Sequence, residues 1–387
     1  MYVNKGDYQF DSRRVMNQQI IQGINKLPQI LKEVSCKKLF LVIDSSYPFL
    51  NIKDNIEALD MKKISFSDFT PNPLFEQVCN GIDLLKAEKC DTILAVGGGS
   101  TIDVAKCIKL AVLAKEGNDA IIPPLVNTLA ACDGSKLPFI AITTTAGTGS
   151  ESTHNAVIYY EGTKQTVTND SILPNYALLE PSVLKTLPLY QKKCTMMDAL
   201  CQGIESWWSV NSTEESYEYS RKTIELIMQN WDSYIFENDS KAAEKIMLGA
   251  NYSGCAINIT ATTAAHAMSY KITSLYNFPH GHAVACCLPF IWKYMVSNIE
   301  NIIDPRGKVY LKEIFSRIAT AMGCNSIEEA IIKFEEMMLK MELKQPVLNT
   351  LEELDILAKS VNPIRLKNNP IYLSEEVLRN LYADITK

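Results

Sequence analysis

The chain has 387 residues, 47% of them hydrophobic and 21% charged, and carries a formal net charge of -6. These values are typical of a globular protein, so they exclude a mostly disordered or fibrous chain, and the length suffices for two domains. The charges are spread along the sequence without a basic run, which argues against nucleic-acid binding.

The first residues, MYVNKGDYQFDSRR, lack the apolar core of a signal peptide. No later apolar run reaches the roughly 18 to 20 residues that span a bilayer. The 11 cysteines are scattered without a CxxC pair, which is typical of reduced thiols in a reducing compartment. We therefore expect a cytoplasmic protein that binds no membrane.

Residues from about 37 to 180 alternate short apolar runs, KLFLVID, TILAVGGGS and FIAITTT, with amphipathic helical segments. Short strands between helical patterns predict parallel βαβ units, whose carboxyl ends form a ligand crevice. After Pro181 the segments are long and carry apolar residues at helical spacing, as in YEYSRKTIELIMQNW. The predicted fold class is an α/β domain over residues 1–183 followed by an all-α domain over residues 184–387.

A glycine turn, Gly97-Gly98-Gly99-Ser100, joins the strand TILAV to a helix predicted to begin at about Ile102. Glycines let backbone N–H groups approach a pyrophosphate, and the helix N-terminus adds partial positive charge. A plain glycine turn is the alternative, since the motif departs from GxGxxG. The turn indicates a variant dinucleotide site.

A second loop of hydroxyls and glycines, TTTAGTGSE, follows the strand FIAI and should face the same crevice. Asp44 ends the strand KLFLVID, where a carboxylate accepts from the ribose hydroxyls of an adenosine and repels a 2′-phosphate. A strand-end cap is the other interpretation of Asp44. The aspartate favours NAD, and NADP is left open because the preference depends on one residue.

Three of the four histidines fall within 17 residues, HAMSYKITSLYNFPHGH. His266 lies in an apolar helix, and a turn at Pro279 would return His280 toward it. With Asp198 these residues supply one carboxylate and two imidazoles, which Fe²⁺ or Zn²⁺ accept while leaving a position open for substrate. Satisfied core histidines are the alternative interpretation.

Four motifs in order, GGGSTIDVAK, TTAGTGSE, MDALCQGIES and AHAMSYKITSLYNFPHGHAVACCLP, resemble the iron-containing (group III) alcohol dehydrogenase family. The resemblance runs from about residue 40 to the end of the chain. It implies a Rossmann-like domain, a helical domain of the dehydroquinate synthase-like kind, a cleft between them and a homodimer. It also implies a set of cofactor-binding residues: Asp44, Gly97, Gly98, Gly99, Ser100, Asp103, Thr144 and Thr145.

The resemblance places the metal ligands at Asp198, Gln202, His266 and His280, and Gln202 stands where the family has a histidine. An amide oxygen is a weaker donor than imidazole, so Fe²⁺ or Zn²⁺ should bind less tightly, or the site should be empty. Tyr270 likewise occupies the position of the family's catalytic-site histidine. Because a phenol both donates and accepts, we predict that Tyr270 or His282 delivers the proton.

Within the family, AHAMSYKIT, PHGHAVA and the helix ending IESWWSVNS are most similar to the phosphonoacetaldehyde reductases, which form 2-hydroxyethylphosphonate. A phosphonate dianion requires fixed cations or well-aimed amides. Each cationic candidate, taken singly, also fits an ordinary surface charge. The candidates are His154, Lys164, Lys271 and Arg365.

The predicted function is NAD(P)H-dependent reduction of a small aldehyde to a primary alcohol, with phosphonoacetaldehyde favoured and a metal polarising the carbonyl. Three alternatives stay open. One is a generic alcohol dehydrogenase of the same family, another is a lyase resembling dehydroquinate synthase, and the third is a non-catalytic nucleotide-binding relative.

Overall fold

The computed structural model describes residues 12–15, 18–122 and 132–386, which form two compact units. The first unit takes in the described parts of Met1–Thr144 and Ser150–Thr186. The second takes in Thr145–Gly149 and the described part of Leu187–Lys387. The predicted fold class is confirmed, because the first unit is built on a mostly parallel sheet and the second is helical.

A seven-stranded sheet in the order β1-β2-β9-β6-β5-β3-β4 forms the first unit, with β1 antiparallel to β2 and the other neighbours parallel. Two further strands, β7 and β8, pair as an antiparallel hairpin. The strands are β1 (Ser12–Val15), β2 (Gln18–Gln22), β3 (Lys38–Ile43), β4 (Lys62–Phe66), β5 (Thr92–Gly97), β6 (Phe139–Thr143), β7 (Asn155–Tyr160), β8 (Thr163–Thr168) and β9 (Tyr176–Leu179). The α-helices of this unit are α1 (Leu27–Glu33), α2 (Lys53–Glu57), α3 (Phe75–Glu88) and α4 (Gly99–Leu113).

Strands β3, β5 and β6 lie side by side in the middle of this sheet and are almost wholly buried. Their sequences are continuous apolar runs because parallel sheets are covered on both faces. In the register, Ile43 pairs with Val96 and Gly97 pairs with Thr143. The carboxyl ends of the three strands therefore share one edge of the sheet.

The second unit is built from α5 (Leu189–Trp208), α6 (Glu214–Asp232), α7 (Ser240–Thr260), α8 (Ala264–Tyr276), α9 (His280–Ser297), α10 (Gly307–Ala321), α11 (Ile327–Lys340), α12 (Glu352–Ser360), α13 (Pro363–Leu366) and α14 (Glu375–Ile385). Helix α5 packs against α6, α7 and α9, and α8 packs against α9. The buried rings of Trp208, Trp292 and Phe315 contact one another in the core of the unit. None of the helices in the described residues has the length and apolar character needed to cross a membrane.

Candidate functional site

Three helices of the second unit bring together the predicted metal ligands Asp198, His266 and His280. Their ligand atoms all lie within 4.8 Å of one another. Asp198 Oδ1 is 3.3 Å from His266 Nε2 and 4.0 Å from His280 Nε2. Two atoms that each lie about 2.1 Å from one ion are at most about 4.2 Å apart, so both spacings fit a shared cation. One carboxylate with two imidazoles is also a donor set that Fe²⁺ and Zn²⁺ accept.

A glycine allows the first turn of α9 to approach α5 closely enough for this cluster. A Cβ added at Gly281 would clash with the carbonyl of Cys194 and lie 2.7 Å from Cβ of Asp198. Only a residue without a side chain fits this contact. Because His280 precedes Gly281, the close approach places His280 beside Asp198.

The buried carboxylate of Glu205, on α5, binds His266 through the ring nitrogen that does not face Asp198. Its Oε2 pairs with Nδ1 of His266, and its Oε1 accepts from the Thr263 hydroxyl at 2.7 Å and from the Ala265 N–H at 2.8 Å. The carboxylate therefore caps the N-terminus of α8 and fixes the imidazole with Nε2 toward Asp198. Burial acts to lower the pKa of His266, but the charges of Glu205 and Asp198 raise it to about 9.

Glu205 was not predicted from the sequence, although a signal for it exists. Asp198, Gln202 and Glu205 are spaced by four and then three residues, which places all three on one face of a helix. A glutamate on the same face as a predicted metal ligand is a candidate for the outer-shell carboxylate that orients a ligating histidine.

The amide of Gln202 is hydrogen-bonded within the second unit. Its Oε1 accepts from the Ser253 hydroxyl at 2.8 Å, and its Nε2 donates to the carbonyl of Thr148 at 3.4 Å. The side chain is buried, with 4% of the residue exposed. Its predicted role as a metal ligand stays a prediction.

The predicted residues Tyr270 and Arg365 adjoin the metal cluster through stacked groups. The Tyr270 ring is nearly parallel to that of His280, at 5° and a centroid distance of 5.6 Å. The guanidinium carbon of Arg365, on α13, lies 5.2 Å from the centre of the Tyr270 ring. A fixed cation is thus linked to a metal-ligand candidate through one aromatic ring. Lys271 follows Tyr270 on α8 and is half-buried.

Both ring nitrogens of His282 are engaged. A carbonyl only accepts, so Nε2 donates to Lys344 at 2.9 Å and Nδ1 accepts from the Tyr190 hydroxyl at 2.9 Å. The Phe278 ring stacks on the imidazole. Burial lowers the pKa of His282. Its proton-delivering role stays a prediction.

In the first unit, Asp44 binds the predicted glycine turn. Its Oδ2 accepts from the Thr101 hydroxyl at 2.7 Å and from the Gly98 N–H at 3.4 Å, and its Oδ1 accepts from the Ser46 hydroxyl at 2.5 Å. The helix after the turn, α4, begins at Gly99, earlier than predicted. The N–H of Thr144 donates to the Gly97 carbonyl at 3.0 Å, so the two predicted loops meet at the sheet edge, where Gly97, Gly98, Gly99 and Ser100 also lie. Thr145 begins the stretch that groups with the second unit.

The other predicted residues of the first unit lie around a buried polar network. Asp103 accepts from the Ser150 hydroxyl at 2.6 Å and from the Val157 N–H at 3.0 Å, and burial raises its pKa. The positive charge of Lys164 favours the ionised form of Asp103. Nδ1 of His154 lies 2.8 Å from a carboxylate oxygen of Asp170.

Lys106, which was not predicted, completes the network from the position three residues after Asp103. It is fully buried and donates to the Ser150 hydroxyl at 3.0 Å and to the Thr153 hydroxyl at 2.9 Å. Burial lowers the pKa of Lys106 to about 8. Its sequence signal is the helical i, i+3 spacing from Asp103 within GGGSTIDVAK.

Comparisons with known proteins match nearly the whole chain. The model of the iron-containing alcohol dehydrogenase family matches residues 17–181, and that of the Fe-containing alcohol dehydrogenase family C-terminal region matches residues 193–386. An NAD-dependent methanol dehydrogenase of Bacillus methanolicus is 29% identical over 79% of this chain and 80% of its own length. A phosphonoacetaldehyde reductase of Streptomyces viridochromogenes is 29% identical over 78% of this chain and 77% of its own length.

A solved structure shares the fold of the chain. It is a sulfoacetaldehyde reductase from Bifidobacterium kashiwanohense in complex with NAD⁺, with a TM-score of 0.84 and 22% identity, covering 97% of this chain and 98% of that one.

Proposed function

This chain belongs to the iron-containing alcohol dehydrogenase family, and we propose that it uses NADH to reduce a small anionic aldehyde, with phosphonoacetaldehyde as the favoured substrate. The family makes it an oxidoreductase of the alcohol dehydrogenase and aldehyde reductase type. The reaction converts aldehyde, NADH and one proton to a primary alcohol and NAD⁺. The names of two relatives, a phosphonoacetaldehyde reductase and a sulfoacetaldehyde reductase, support an anionic acetaldehyde.

The observation that carries the anionic substrate is the position of Arg365. Its guanidinium lies over the Tyr270 ring, and that ring stacks on His280. A phosphonate two bonds from the reacting carbon requires a cation close to the group that binds the carbonyl. The planar guanidinium supplies two parallel donors, which match two oxygens of a phosphonate or sulfonate.

Asp198, His266 and His280 are the residues that would hold the metal. A divalent cation bound there would act as a Lewis acid toward the carbonyl oxygen. Glu205 contributes by keeping the His266 proton on Nδ1, so that Nε2 offers its lone pair. The sequence predicted Gln202 as a fourth ligand, but its amide is hydrogen-bonded to Ser253 and Thr148.

The nucleotide is proposed to bind at the carboxyl edge of the first unit's sheet, on the turn Gly97–Ser100 with Asp103, Thr144 and Thr145. When bound, NADH supplies the hydride that reaches the carbonyl carbon. The N-terminus of α4 favours the pyrophosphate, since its first N–H groups have no partner inside the helix. Asp44 would accept from the adenosine ribose and repel a 2′-phosphate, which favours NAD over NADP.

Tyr270 is proposed to donate the proton to the product oxygen, because its ring lies next to a metal-ligand candidate. His282 is the second candidate. Its Nδ1 accepts from the hydroxyl of Tyr190, a residue that is 45% exposed, and its Nε2 donates to the Lys344 carbonyl, so it could deliver a proton only after that second hydrogen bond breaks.

Three alternatives compete with the reduction of an anionic aldehyde. The methanol dehydrogenase relative favours a generic alcohol dehydrogenase, which would need no fixed cation. The remaining alternatives, a lyase or a nucleotide-binding protein, would consume no NADH. The homodimer implied by the resemblance stays a prediction that light scattering would check.

The test is NADH oxidation with phosphonoacetaldehyde, sulfoacetaldehyde and propionaldehyde, by the wild type and by the Arg365→Gln variant. A charged hydrogen bond contributes about 1.5–3 kcal/mol, so Arg365→Gln should lower kcat/KM for the phosphonate about 10- to 100-fold. Propionaldehyde should be reduced at an almost unchanged rate. The matched control is Lys271→Gln, which removes a neighbouring cation that does not lie over the Tyr270 ring.

Equal kcat/KM for phosphonoacetaldehyde and propionaldehyde in the wild type would refute the anionic substrate. Turnover of neither aldehyde, with NADH bound, would favour the lyase or nucleotide-binding alternatives.

A further inference from the structure

Gln202 stands on α5 one helical turn after Asp198, where the resemblance expects a metal-binding histidine. We infer that Gln202 is a positioning residue that fastens the loop Thr145–Gly149 to α5 and α7, and that it does not bind the metal. The inference rests on the proposed metal site at Asp198, His266 and His280.

The orientation of the Gln202 amide follows from its partners. The carbonyl of Thr148, 3.4 Å from the amide, only accepts, so the NH₂ group must face it. In the opposite orientation two acceptor oxygens would meet at that distance. The amide oxygen then faces the Ser253 hydroxyl on α7, at 2.8 Å. That hydroxyl also lies 2.7 Å from the Ala250 carbonyl, so its one proton is shared between two acceptors.

The same stretch of α7 also holds the loop through a backbone contact. Gly149 has a φ of +63°, and a Cβ added to it would clash with Cα of Gly254 and lie 2.7 Å from its N. Gly254 directly follows Ser253, the partner of Gln202. The loop is therefore attached at neighbouring points, through the Gly149 backbone and through the side chain of Gln202. This agrees with the grouping of Thr145–Gly149 with the helical unit.

The attachment has one consequence for the proposed metal site and another for the proposed nucleotide site. A cation at the proposed site would be held by the three protein ligands Asp198, His266 and His280, which would leave more coordination positions for water or substrate than a four-ligand site. The loop begins with Thr145, a predicted cofactor residue. Fastening the loop therefore helps to fix Thr145, one of the residues that are proposed to bind the nucleotide.

The test compares Gln202→Met with the wild type in two measurements that need no catalytic turnover. Methionine keeps an unbranched side chain of similar size but cannot donate to Thr148, and its thioether is a poor ligand for a hard or borderline cation. The first measurement is the affinity for Co²⁺, with its visible absorption spectrum, by competition against a chelator. The second is amide hydrogen exchange in the loop 145–149. The control for a lost ligand is His280→Ala.

We expect Gln202→Met to bind Co²⁺ within about twofold of the wild type with the same spectrum, while His280→Ala binds it at least about tenfold more weakly. We expect the loop amides of Gln202→Met to exchange about fivefold faster or more, since the bond from Gln202 is lost. A tenfold loss of Co²⁺ affinity, or a changed spectrum, would mean that Gln202 is a ligand and would overturn the inference. Unchanged loop exchange would overturn it equally.

A second variant, Ser253→Ala, serves if Gln202→Met does not fold. It keeps the glutamine but removes the hydroxyl that orients the amide, so the loop should again exchange faster while Co²⁺ binding is unchanged. Failure of the wild type to bind any Co²⁺ would overturn the metal site on which the inference rests. If the wild type binds Co²⁺ but reduces none of the aldehydes, only the proposed substrate would be refuted.

Discussion

Replacing Glu205 by glutamine should weaken metal binding without removing a metal ligand. Trp208 donates through its indole N–H to the Thr263 hydroxyl at 2.9 Å, so that hydroxyl must donate onward to Glu205 at 2.7 Å. The N–H of Ala265 donates to the same carboxylate oxygen at 2.8 Å. A glutamine at position 205 must therefore keep its oxygen on this side and turn its NH₂ group toward His266.

Facing an NH₂ group, Nδ1 of His266 must become an acceptor, which moves the ring proton to Nε2. That nitrogen then has no lone pair for a cation. Loss of such an outer-shell partner typically weakens metal binding 10- to 100-fold, or about 1.4–2.8 kcal/mol. We expect this loss for Co²⁺ in Glu205→Gln, measured by competition against a chelator.

The matched control is Glu353→Gln on α12. Glu353 is also largely buried and also accepts hydrogen bonds, from the Tyr276 hydroxyl at 2.7 Å and from Asn349. Its pKa is lowered by these hydrogen bonds. Co²⁺ affinity within about twofold of the wild type in Glu205→Gln, or an equal loss in Glu353→Gln, would refute the orienting role. Urea unfolding in the presence of chelator measures the stability of the metal-free variants, so it distinguishes a loss of Co²⁺ affinity from a loss of folding stability.

Two further predictions concern the first unit. Asp44→Asn removes the charge that is proposed to repel a 2′-phosphate. The ratio of kcat/KM for NADPH to kcat/KM for NADH should therefore rise about tenfold. An unchanged ratio would show that Asp44 acts only as a cap of the glycine turn. Lys109 is fully buried on α4, its Nζ is 3.1 Å from Asn175 Oδ1, and burial lowers its pKa to about 7. The unfolded state therefore binds more protons than the folded state between pH 7 and the ordinary lysine pKa of 10.5, so Lys109 makes stability rise with pH across that interval. Urea unfolding at pH 7 and pH 9.5 should show a smaller rise for Lys109→Met than for the wild type, and equal rises would mean that Lys109 keeps its ordinary pKa.

The fold class could be predicted because its signals are local. Each central strand is a short apolar run, and each long helix carries an apolar stripe, so the change of texture after Pro181 marks two kinds of unit. The start of α4 was misplaced at Ile102 because Gly99 and Ser100 are poor helix formers by propensity. Their helical conformation depends on Asp44, which binds Gly98 and Thr101 from a different strand end. A local sequence pattern cannot show such a contact, because its residues are distant in the sequence.

Candidate site residues are easier to recognise in the sequence when their residue type is rare in the chain. Histidine is scarce in this chain, so a cluster of three drew notice, and His266 and His280 do lie beside Asp198. Glutamate is frequent, so the spacing of Glu205 from Asp198 drew no notice until the structure showed its hydrogen bonds with Thr263 and Ala265. The four cationic candidates could not be ranked either, because the contact of Arg365 with Tyr270 joins helices distant in the sequence.

Asp198, Gln202 and Glu205 lie on one face of α5, and their separate contacts explain how position 202 can carry a glutamine in place of a histidine while Asp198 and Glu205 keep their roles. A cation at the proposed site would be bound directly by Asp198, and Glu205 would act on it through His266, so neither role depends on the residue between them. Position 202 lies between two neighbours of different kinds, the proposed cation and the loop at Thr148. A histidine there would serve the cation, whereas the glutamine can donate to a carbonyl and accept from Ser253 at once. Gln202→His is therefore expected to strengthen metal binding and weaken the attachment of the loop, while the orientation of His266 by Glu205 stays the same.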